Sequence, residues 1–288
     1  MRIFYKIIVL FSISLFFSQI SFAQTIAPTS LLPTSEEGGQ VKILLVPGHD
    51  NEVWGAQYAN LKEAAMNLAM ASRIYDILKK DKRFEIHITR DKDGYTKEFA
   101  DYFANYQVDI VAFREDAKKK TEENVMSGAF IQKENVPHNS VSEDIAIRLY
   151  GFNKWANEND IDAMIHIHFN DYPRPYSWMI GKYKGFAIYM PDGQLVNWKG
   201  SSQLAANIFT QLKKKYITST YEKELGGLVS DQKLIALGAN GTLLPSVRSV
   251  LIEYGYIYRF GDRTMRYNAY NNMASLTATG IKNYFFGK

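Results

Sequence analysis

The stretch DIAIRLYGFNKWANENDIDAMIHIHF, residues 144–169, decides the fold class of this 288-residue chain. Over residues 144–157, apolar side chains recur at the three- and four-residue spacing of a helix. They are Ile145, Leu149, Phe152 and Trp155. Residues 161–169 then form a nearly continuous apolar run, as in a strand that is buried on both faces. A helix that leads into such a strand is the repeating unit of α/β proteins.

The same alternation extends in both directions along the chain. Further strands are predicted over residues 41–46, 84–89, 184–190 and 247–254. Further helices are predicted over residues 60–79, from Ser201 as a capping residue to Leu212, and over 266–286. The pattern predicts an α/β fold, a single-domain sandwich with a mainly parallel central sheet flanked by helices.

The N-terminal segment has a different character. Two basic residues precede a short apolar run from Ile7 to Phe17, and Ser21-Phe22-Ala23 offers small residues where a signal peptidase reads. We therefore predict a secretory signal peptide over residues 1–23, with an uncleaved anchor as the alternative. The polar segment 24–40, rich in Pro and Gly, is predicted to be a linker.

The composition narrows the class of protein. The chain has no cysteine, which excludes disulfides, a Cys-ligated metal and a lipid-modified cysteine. Basic and acidic residues nearly balance once the signal peptide is removed, and nothing indicates nucleic-acid binding. There is no second long apolar span, so we expect no stable membrane insertion after signal cleavage. These features suit an exported protein of the periplasm or cell envelope.

Four residues suggest a metal-dependent hydrolase. His49 and His168 end strand-like runs, Glu63 opens a helix-like segment, and Glu253 interrupts an apolar strand. Two neutral imidazoles and one carboxylate are a common ligand set for catalytic zinc, with a fourth position for water. A further carboxylate is the usual acceptor of that water's proton. In parallel sheets, sites of this kind lie beyond the carboxyl ends of the strands.

Four sequence blocks carry a family resemblance. They are Val-Pro-Gly-His (46–49), Leu-Lys-Glu-Ala (61–64), Ile-His-Ile-His-Phe-Asn (165–170) and Leu-Ile-Glu-Tyr-Gly (251–255). In this order they resemble the zinc-dependent N-acetylmuramoyl-L-alanine amidases of the amidase-3 type. The resemblance covers most of residues 41–286. It implies a catalytic domain over residues 41–288.

The resemblance implies an activity and its residues. The expected reaction is cleavage of the amide between N-acetylmuramic acid and L-alanine of the peptidoglycan stem peptide. The implied zinc ligands are His49, Glu63 and His168, and the implied general base is Glu253. Peptidoglycan is then the expected partner. A need for an activator protein stays open.

Several residues compete for these roles. Glu52 is a rival of Glu63 because it lies nearer to His49 in the sequence. His166 shares a strand face with His168, so both could approach one metal, and we prefer His166 as a supporting residue. The family pattern has Asp where this chain has Val46, and Gly-Gly where it has Asp50-Asn51. These changes alter the residues beside the first histidine and keep the histidine itself.

Two alternative functions stay open. A zinc carboxypeptidase-like hydrolase would need a cation for a terminal carboxylate, which Arg148 or Arg248 could supply. An inactive peptidoglycan-binding or regulatory protein is the other alternative.

Residues 94–142 form a charged and aromatic insert, longer than a compact connection needs, which is predicted to be a surface loop with a helix. More specific alternatives for that insert are a lid over the site, a wall that sets substrate specificity, or an autoinhibitory element of the kind that some relatives carry.

Overall fold

The computed structural model describes residues 39–133, 142–232 and 239–287. The predicted signal peptide, most of the predicted linker and residues 134–141 of the predicted insert lie outside the described residues. No helix within the described part of the chain is both long and apolar enough to cross a membrane.

Eight strands and five α-helices are described. The strands are β1 (Val41–Pro47), β2 (Gln57–Tyr58), β3 (Leu61–Lys62), β4 (Phe84–Ile88), β5 (Ala163–Asn170), β6 (Ala187–Pro191), β7 (Leu228–Asp231) and β8 (Arg248–Tyr256). The helices are α1 (Glu63–Leu78), α2 (Lys97–Met126), α3 (Glu143–Glu158), α4 (Trp198–Leu212) and α5 (Arg263–Phe286).

Six strands form the central sheet, in the order β4-β1-β5-β8-β6-β7. Strands β4, β1, β5 and β8 run parallel to their neighbours, whereas β6 is antiparallel to β8. Strand β7 is parallel to β6. The prediction of a mainly parallel sheet within an α/β fold is therefore confirmed. The carboxyl ends of β1, β5 and β8 meet at one edge of the sheet.

Both faces of the central strands are buried because their side chains alternate between two cores. Ile43 and Ile165 point into the core that α1, α4 and α5 cover. Leu44 and Met164 point into a second core, built with Phe99 and helix α3. Apolar burial on both sides fixes the register, since a slip of one residue would exchange the two faces.

Helix α4 begins earlier than predicted. Its N-cap is Asn197, so the prediction that Ser201 caps this helix is wrong. The Ser201 hydroxyl lies inside the helix, donates to the Asn197 carbonyl at 2.8 Å, and accepts the Ser249 amide proton at 2.9 Å. A serine hydroxyl can accept a backbone amide proton from a strand as well as from the first turn of a helix. The presence of a serine therefore did not show which of the two roles it has.

The predicted insert contains helix α2. Its non-helical backbone at Tyr106 marks a kink. The first half packs on α3, with the rings of Phe99 and Trp155 4.8 Å apart. Beyond the helix, the Ile131 amide donates to Gln194 Oε1 at 2.8 Å, and Lys133 Nζ lies 2.6 Å from Asp192 Oδ2. The described part of the insert is thus attached to the protein at both ends of its helix.

Candidate metal and catalytic site

Three of the predicted site residues come together at the strand ends. Glu63 Oε2 lies 3.1 Å from His49 Nε2, and Glu63 Oε1 lies 3.0 Å from His168 Nδ1. The two imidazole rings are 5.2 Å apart, nearly perpendicular at 74°. One ligand atom from each residue lies within 4.8 Å of the others. The group has the donor types and spacing that a divalent metal needs.

His49 is aimed at this group by an unusual backbone. Its φ of 61° lies in the left-handed region, which costs a residue with a Cβ about 1–2 kcal/mol. Gly48 precedes it, and a Cβ there would lie 2.1 Å from His168 Cε1. Only glycine therefore lets the turn pass beside the second imidazole. Such strain at a site is held by the surrounding contacts.

Glu63 is buried at the first position of α1. Its Oε2 accepts the Ala56 amide proton at 2.9 Å, and its Oε1 accepts that of Phe169 at 3.3 Å. Burial alone would raise the pKa of this carboxyl, but hydrogen bonds from His168 and His49 outweigh burial and hold the pKa well below its usual range. Glu63 is thus a fixed negative charge between two imidazoles.

Glu253 is paired in register with His168 on the neighbouring parallel strand. Register partners share a face of the sheet, so this carboxylate stands beside the imidazole. Its Oε2 is buried with no hydrogen-bond partner among the described residues. Burial, and then the negative charges of Glu63 and Glu224, raise the pKa of Glu253 well above its usual range. It is the carboxyl group best suited to hold a proton at this edge.

Glu224 belongs to the surroundings of the site although no sequence pattern indicated it. Its buried carboxylate accepts hydrogen bonds from Asn170 Nδ2 at 2.6 Å, Tyr189 Oη at 2.7 Å and Tyr256 Oη at 3.0 Å. The amide of Asn170 thus binds a side chain 54 residues away in the sequence. In sequence, Tyr-Glu-Lys-Glu-Leu around Glu224 has the composition of an exposed turn.

The competing residues lie elsewhere or are differently engaged. The exposed Glu52 pairs with Arg148 at 3.0 Å and does not belong to the triad. His166 is buried, its Nε2 has no hydrogen-bond partner among the described residues, and it is not part of the triad either. Burial, and then the charge of His168, lower the pKa of His166 to about 3, so its imidazole is neutral.

Both candidate arginines are engaged by other groups. Arg148 is 2.6 Å from Asp50 Oδ2 as well as being paired with Glu52. Arg248 is the first residue of β8, whereas Glu253 lies near the strand's other end. Its guanidinium bonds to the Tyr284 hydroxyl at 3.0 Å. Arg248 is therefore engaged at the end of β8 opposite to Glu253.

Asp50, a departure from the family pattern, holds the loop after His49. Its Oδ1 accepts the amide protons of Glu52 at 2.9 Å and Val53 at 2.8 Å. Its Oδ2 accepts from the Tyr95 hydroxyl at 3.1 Å and from Arg148. Four donors thus hold this one buried carboxylate. The residue that departs from the family pattern after His49 therefore has hydrogen-bond partners of its own.

Comparisons with known proteins identify the family and the fold. Residues 43–283 match the family model described as N-acetylmuramoyl-L-alanine amidase. No curated protein matches the chain. The catalytic domain of the amidase CwlV from Bacillus (Paenibacillus) polymyxa var. colistinus is 16% identical, with a TM-score of 0.53, over 86% of this chain and 100% of that domain.

Two further solved structures have the same fold. The amidase AmiC2 of Nostoc punctiforme is 18% identical, with a TM-score of 0.52, over 86% of this chain and 98% of its own. The CwlD amidase of Clostridioides difficile, solved in complex with the GerS lipoprotein, is 16% identical, with a TM-score of 0.55, over 85% and 98%. At such identities the structural likeness establishes only the fold, whereas the family is assigned by the match of residues 43–283 to the family model.

Proposed function

Because the chain belongs to the N-acetylmuramoyl-L-alanine amidase family, we propose that it is an exported, zinc-dependent cell-wall hydrolase. The substrate is the amide between N-acetylmuramic acid and L-alanine of the peptidoglycan stem peptide. One observation carries the proposal. A single carboxylate, Glu63, touches both His49 and His168, and Glu253 stands in register beside His168.

The residues of the triad fit a zinc ion. Two imidazole nitrogens and one carboxylate oxygen are the donor types of catalytic zinc sites. Gly55 leaves them room, because a Cβ there would lie 2.4 Å from His49 Cδ2 and 2.5 Å from Glu63 Oε2. Zinc held by His49, Glu63 and His168 would make a water more acidic and polarise the scissile carbonyl.

Glu253 acts as the general base in this proposal. Its carboxylate takes a proton from the attacking water and returns it to the nitrogen of L-alanine, which leaves as an amine. The partnerless oxygen Oε2 is the atom available for that proton. The raised pKa of Glu253 supports its delivery of the proton to the leaving nitrogen, because a carboxyl group with a raised pKa holds a proton that it can donate.

The alternatives have less support. A carboxypeptidase needs a free cation near the triad, and Arg148 and Arg248 are both engaged by other groups. An inactive binding protein is an outcome that zinc content and product analysis would reveal. A protein partner stays an expectation, supported by the likeness to CwlD, which was solved with a lipoprotein. Activity of the purified chain alone would show that no activator is required.

The test uses protein that begins at Gln24, with zinc quantified and purified peptidoglycan digested. We expect about one zinc per chain and stem peptides with a free L-alanine amino terminus. Glu253→Gln should keep the zinc and release no peptides, whereas Glu63→Gln should lose the zinc. His87→Ala is a matched control, because His87 also contacts two carboxylates, at 2.9 and 3.3 Å, outside the triad. Zinc in Glu63→Gln, or peptides from Glu253→Gln, would contradict the proposed roles.

Export rests on the sequence pattern of residues 1–23. Peptidoglycan lies outside the cytoplasmic membrane, so an amidase must cross that membrane to meet its substrate. Expression of the full chain and of a version without residues 1–23, followed by cell fractionation, tests the signal. Equal distribution of the two versions would contradict it.

A further inference from the structure

Two exposed aromatic rings stand on the loop that follows β5. Strand β5 ends at Asn170, two residues beyond His168, so this loop leaves from the edge of the sheet that carries the triad. The rings of Tyr176 and Trp178 are stacked, with centroids 5.5 Å apart and planes 12° from parallel. The two residues are 60% and 71% exposed.

This exposure is not explained by packing. Each exposed ring leaves apolar area in water, at a cost of about 25 cal/mol per Å² that burial would recover. Other aromatic residues of the same region are packed, since Tyr172 and Tyr183 lie edge to face with centroids 4.6 Å apart. A pair of large, parallel and exposed rings beside a catalytic edge is typical of a binding surface.

The loop is held by an arginine, which keeps the pair in place. Arg174 Nη1 donates to Asp171 Oδ1 at 2.9 Å, and Nη2 donates to the Gln57 carbonyl at 3.2 Å. Its guanidinium also lies 5.3 Å from the ring centre of Tyr58 and 5.1 Å from that of Tyr258. The side chain of Arg174 is only 6% exposed.

The far side of the pair is fixed as well. The Met179 amide donates to the Tyr176 carbonyl at 3.0 Å, which closes a turn around Trp178. Arg259 Nη2 donates to the Gly181 carbonyl at 2.8 Å. A surface that is organised before binding loses little conformational freedom when a ligand arrives.

The chemistry of the pair favours a neutral ligand with a flat apolar face. A stem peptide carries carboxylates that call for a free cation, and the cation nearest to the two rings in the sequence, Arg174, has a buried side chain that is already paired with Asp171. The C–H face of a hexosamine ring matches an aromatic face without any charge. We propose that Tyr176 and Trp178 form a glycan platform, on which an N-acetylhexosamine of the peptidoglycan strand stacks while the neighbouring stem peptide enters the metal site. The identity of the strand as peptidoglycan rests on the proposed function.

Binding of an uncharged sugar tests the platform without requiring turnover. Tetra-N-acetylchitotetraose is titrated by calorimetry into the Glu253→Gln protein and into the same protein with Trp178→Ala, Tyr176→Ala or Trp178→Phe. We expect affinity to fall roughly tenfold in the two alanine variants and to be largely kept with phenylalanine. Tyr267→Ala is the matched control, because Tyr267 is 58% exposed on helix α5 and should leave binding unchanged.

The outcomes separate this inference from the amidase proposal. Sugar binding that depends on Trp178 supports the platform even when digestion of peptidoglycan fails. Full amidase activity with sugar binding that is absent, or equal in Trp178→Ala, overturns the platform and leaves the amidase proposal intact. Loss of affinity for a free stem tetrapeptide, but not for the sugar, would assign the rings to the peptide and also overturn it. Circular dichroism checks that the exposed substitutions leave the fold unchanged.

Discussion

Arg90 Nη2 donates to the carbonyl oxygen of Gly48 at 3.1 Å. The same nitrogen donates to the Ala64 carbonyl at 2.7 Å, and Arg90 Nε donates to the Pro47 carbonyl at 3.2 Å. One fully buried guanidinium therefore joins the turn before His49 to the first turn of the helix that begins with Glu63. Two of the three triad residues owe their relative position to this contact.

Replacing Arg90 should damage both the fold and the metal site. Arg90→Met leaves buried carbonyls without their donor, and we expect the free energy of unfolding to fall by on the order of 3 kcal/mol. Zinc affinity should fall as well, because the turn and the helix lose their link. Denaturant unfolding and a zinc competition titration measure the two effects.

Arg83→Met is the control for that substitution. Arg83 is an exposed arginine that pairs with Asp81 at 2.8 Å, and an exposed ion pair contributes about 0–1 kcal/mol. Equal stability and zinc affinity of the two variants would show that the contact between Arg90 and Gly48 does not position the site.

Asp50 should matter for zinc affinity although it binds no metal. Asp50→Ala removes the acceptor for the amide protons of Glu52 and Val53, so the turn after His49 loosens. We expect zinc to bind about 10–100 times more weakly. Glu52→Gln, which alters the exposed partner of the same arginine, should keep the affinity. A zinc titration in which both variants behave like the parent protein would refute the role of Asp50.

The pH dependence of stability offers a second view of Asp50. Burial would raise its pKa, but the amide protons of Val53 and Glu52, the Tyr95 hydroxyl and Arg148 together lower it below the ordinary 3.8. A lowered pKa in the folded state stabilises the fold above pH 3.8 and loses that contribution as the pH falls further. Asp50→Asn should therefore flatten the acid limb of the stability curve, measured by thermal unfolding from pH 7 downwards.

Glu224 should set the acid limb of activity. Its negative charge helps to raise the pKa of Glu253, after burial and the charge of Glu63. Removing that charge with Glu224→Gln lowers the pKa of Glu253, so the base loses its proton at a lower pH. The acid limb of the kcat profile should move to lower pH, while the Gln oxygen keeps an acceptor for Tyr189 and its Nε2 can donate to the Tyr256 hydroxyl.

Glu222→Gln provides the comparison. Glu222 lies two residues away in the same turn, and its carboxylate accepts from the Tyr183 hydroxyl instead. Its replacement should leave the acid limb unchanged. A profile of Glu224→Gln that moves to higher pH, or coincides with that of Glu222→Gln, would contradict the electrostatic argument.

The predicted insert can be tested only in part by deletion. Phe99 is fully buried against Trp155, so removing the whole helix α2 would open the core. Lys133→Ala instead breaks the contact with Asp192 at 2.6 Å. We expect faster amide exchange over residues 127–133, with zinc binding unchanged, by hydrogen exchange mass spectrometry. Unchanged exchange there would show that this ion pair does not attach the segment.

Much of the fold was predictable because its signals are local. A short apolar run such as residues 161–169 indicates a buried strand, and the apolar spacing before it indicates a helix. The order of these elements indicated a mainly parallel sheet, and the strand ends then indicated where His49, His168 and Glu253 would lie. The two-residue strands β2 and β3 and the edge strand β7 are too short to produce such a pattern.

The sequence by itself determined the longer strands and helices, because each depends on side chains a few positions apart, whereas the choice of Glu63 over Glu52 and of His168 over His166 rested on the family resemblance. Only the tertiary structure decided which polar groups serve that triad. Arg90 reaches a carbonyl 42 residues away, and Glu224 accepts from Asn170 across 54 residues. A buried polar group must find a partner wherever the folded chain provides one, and no local pattern encodes that choice.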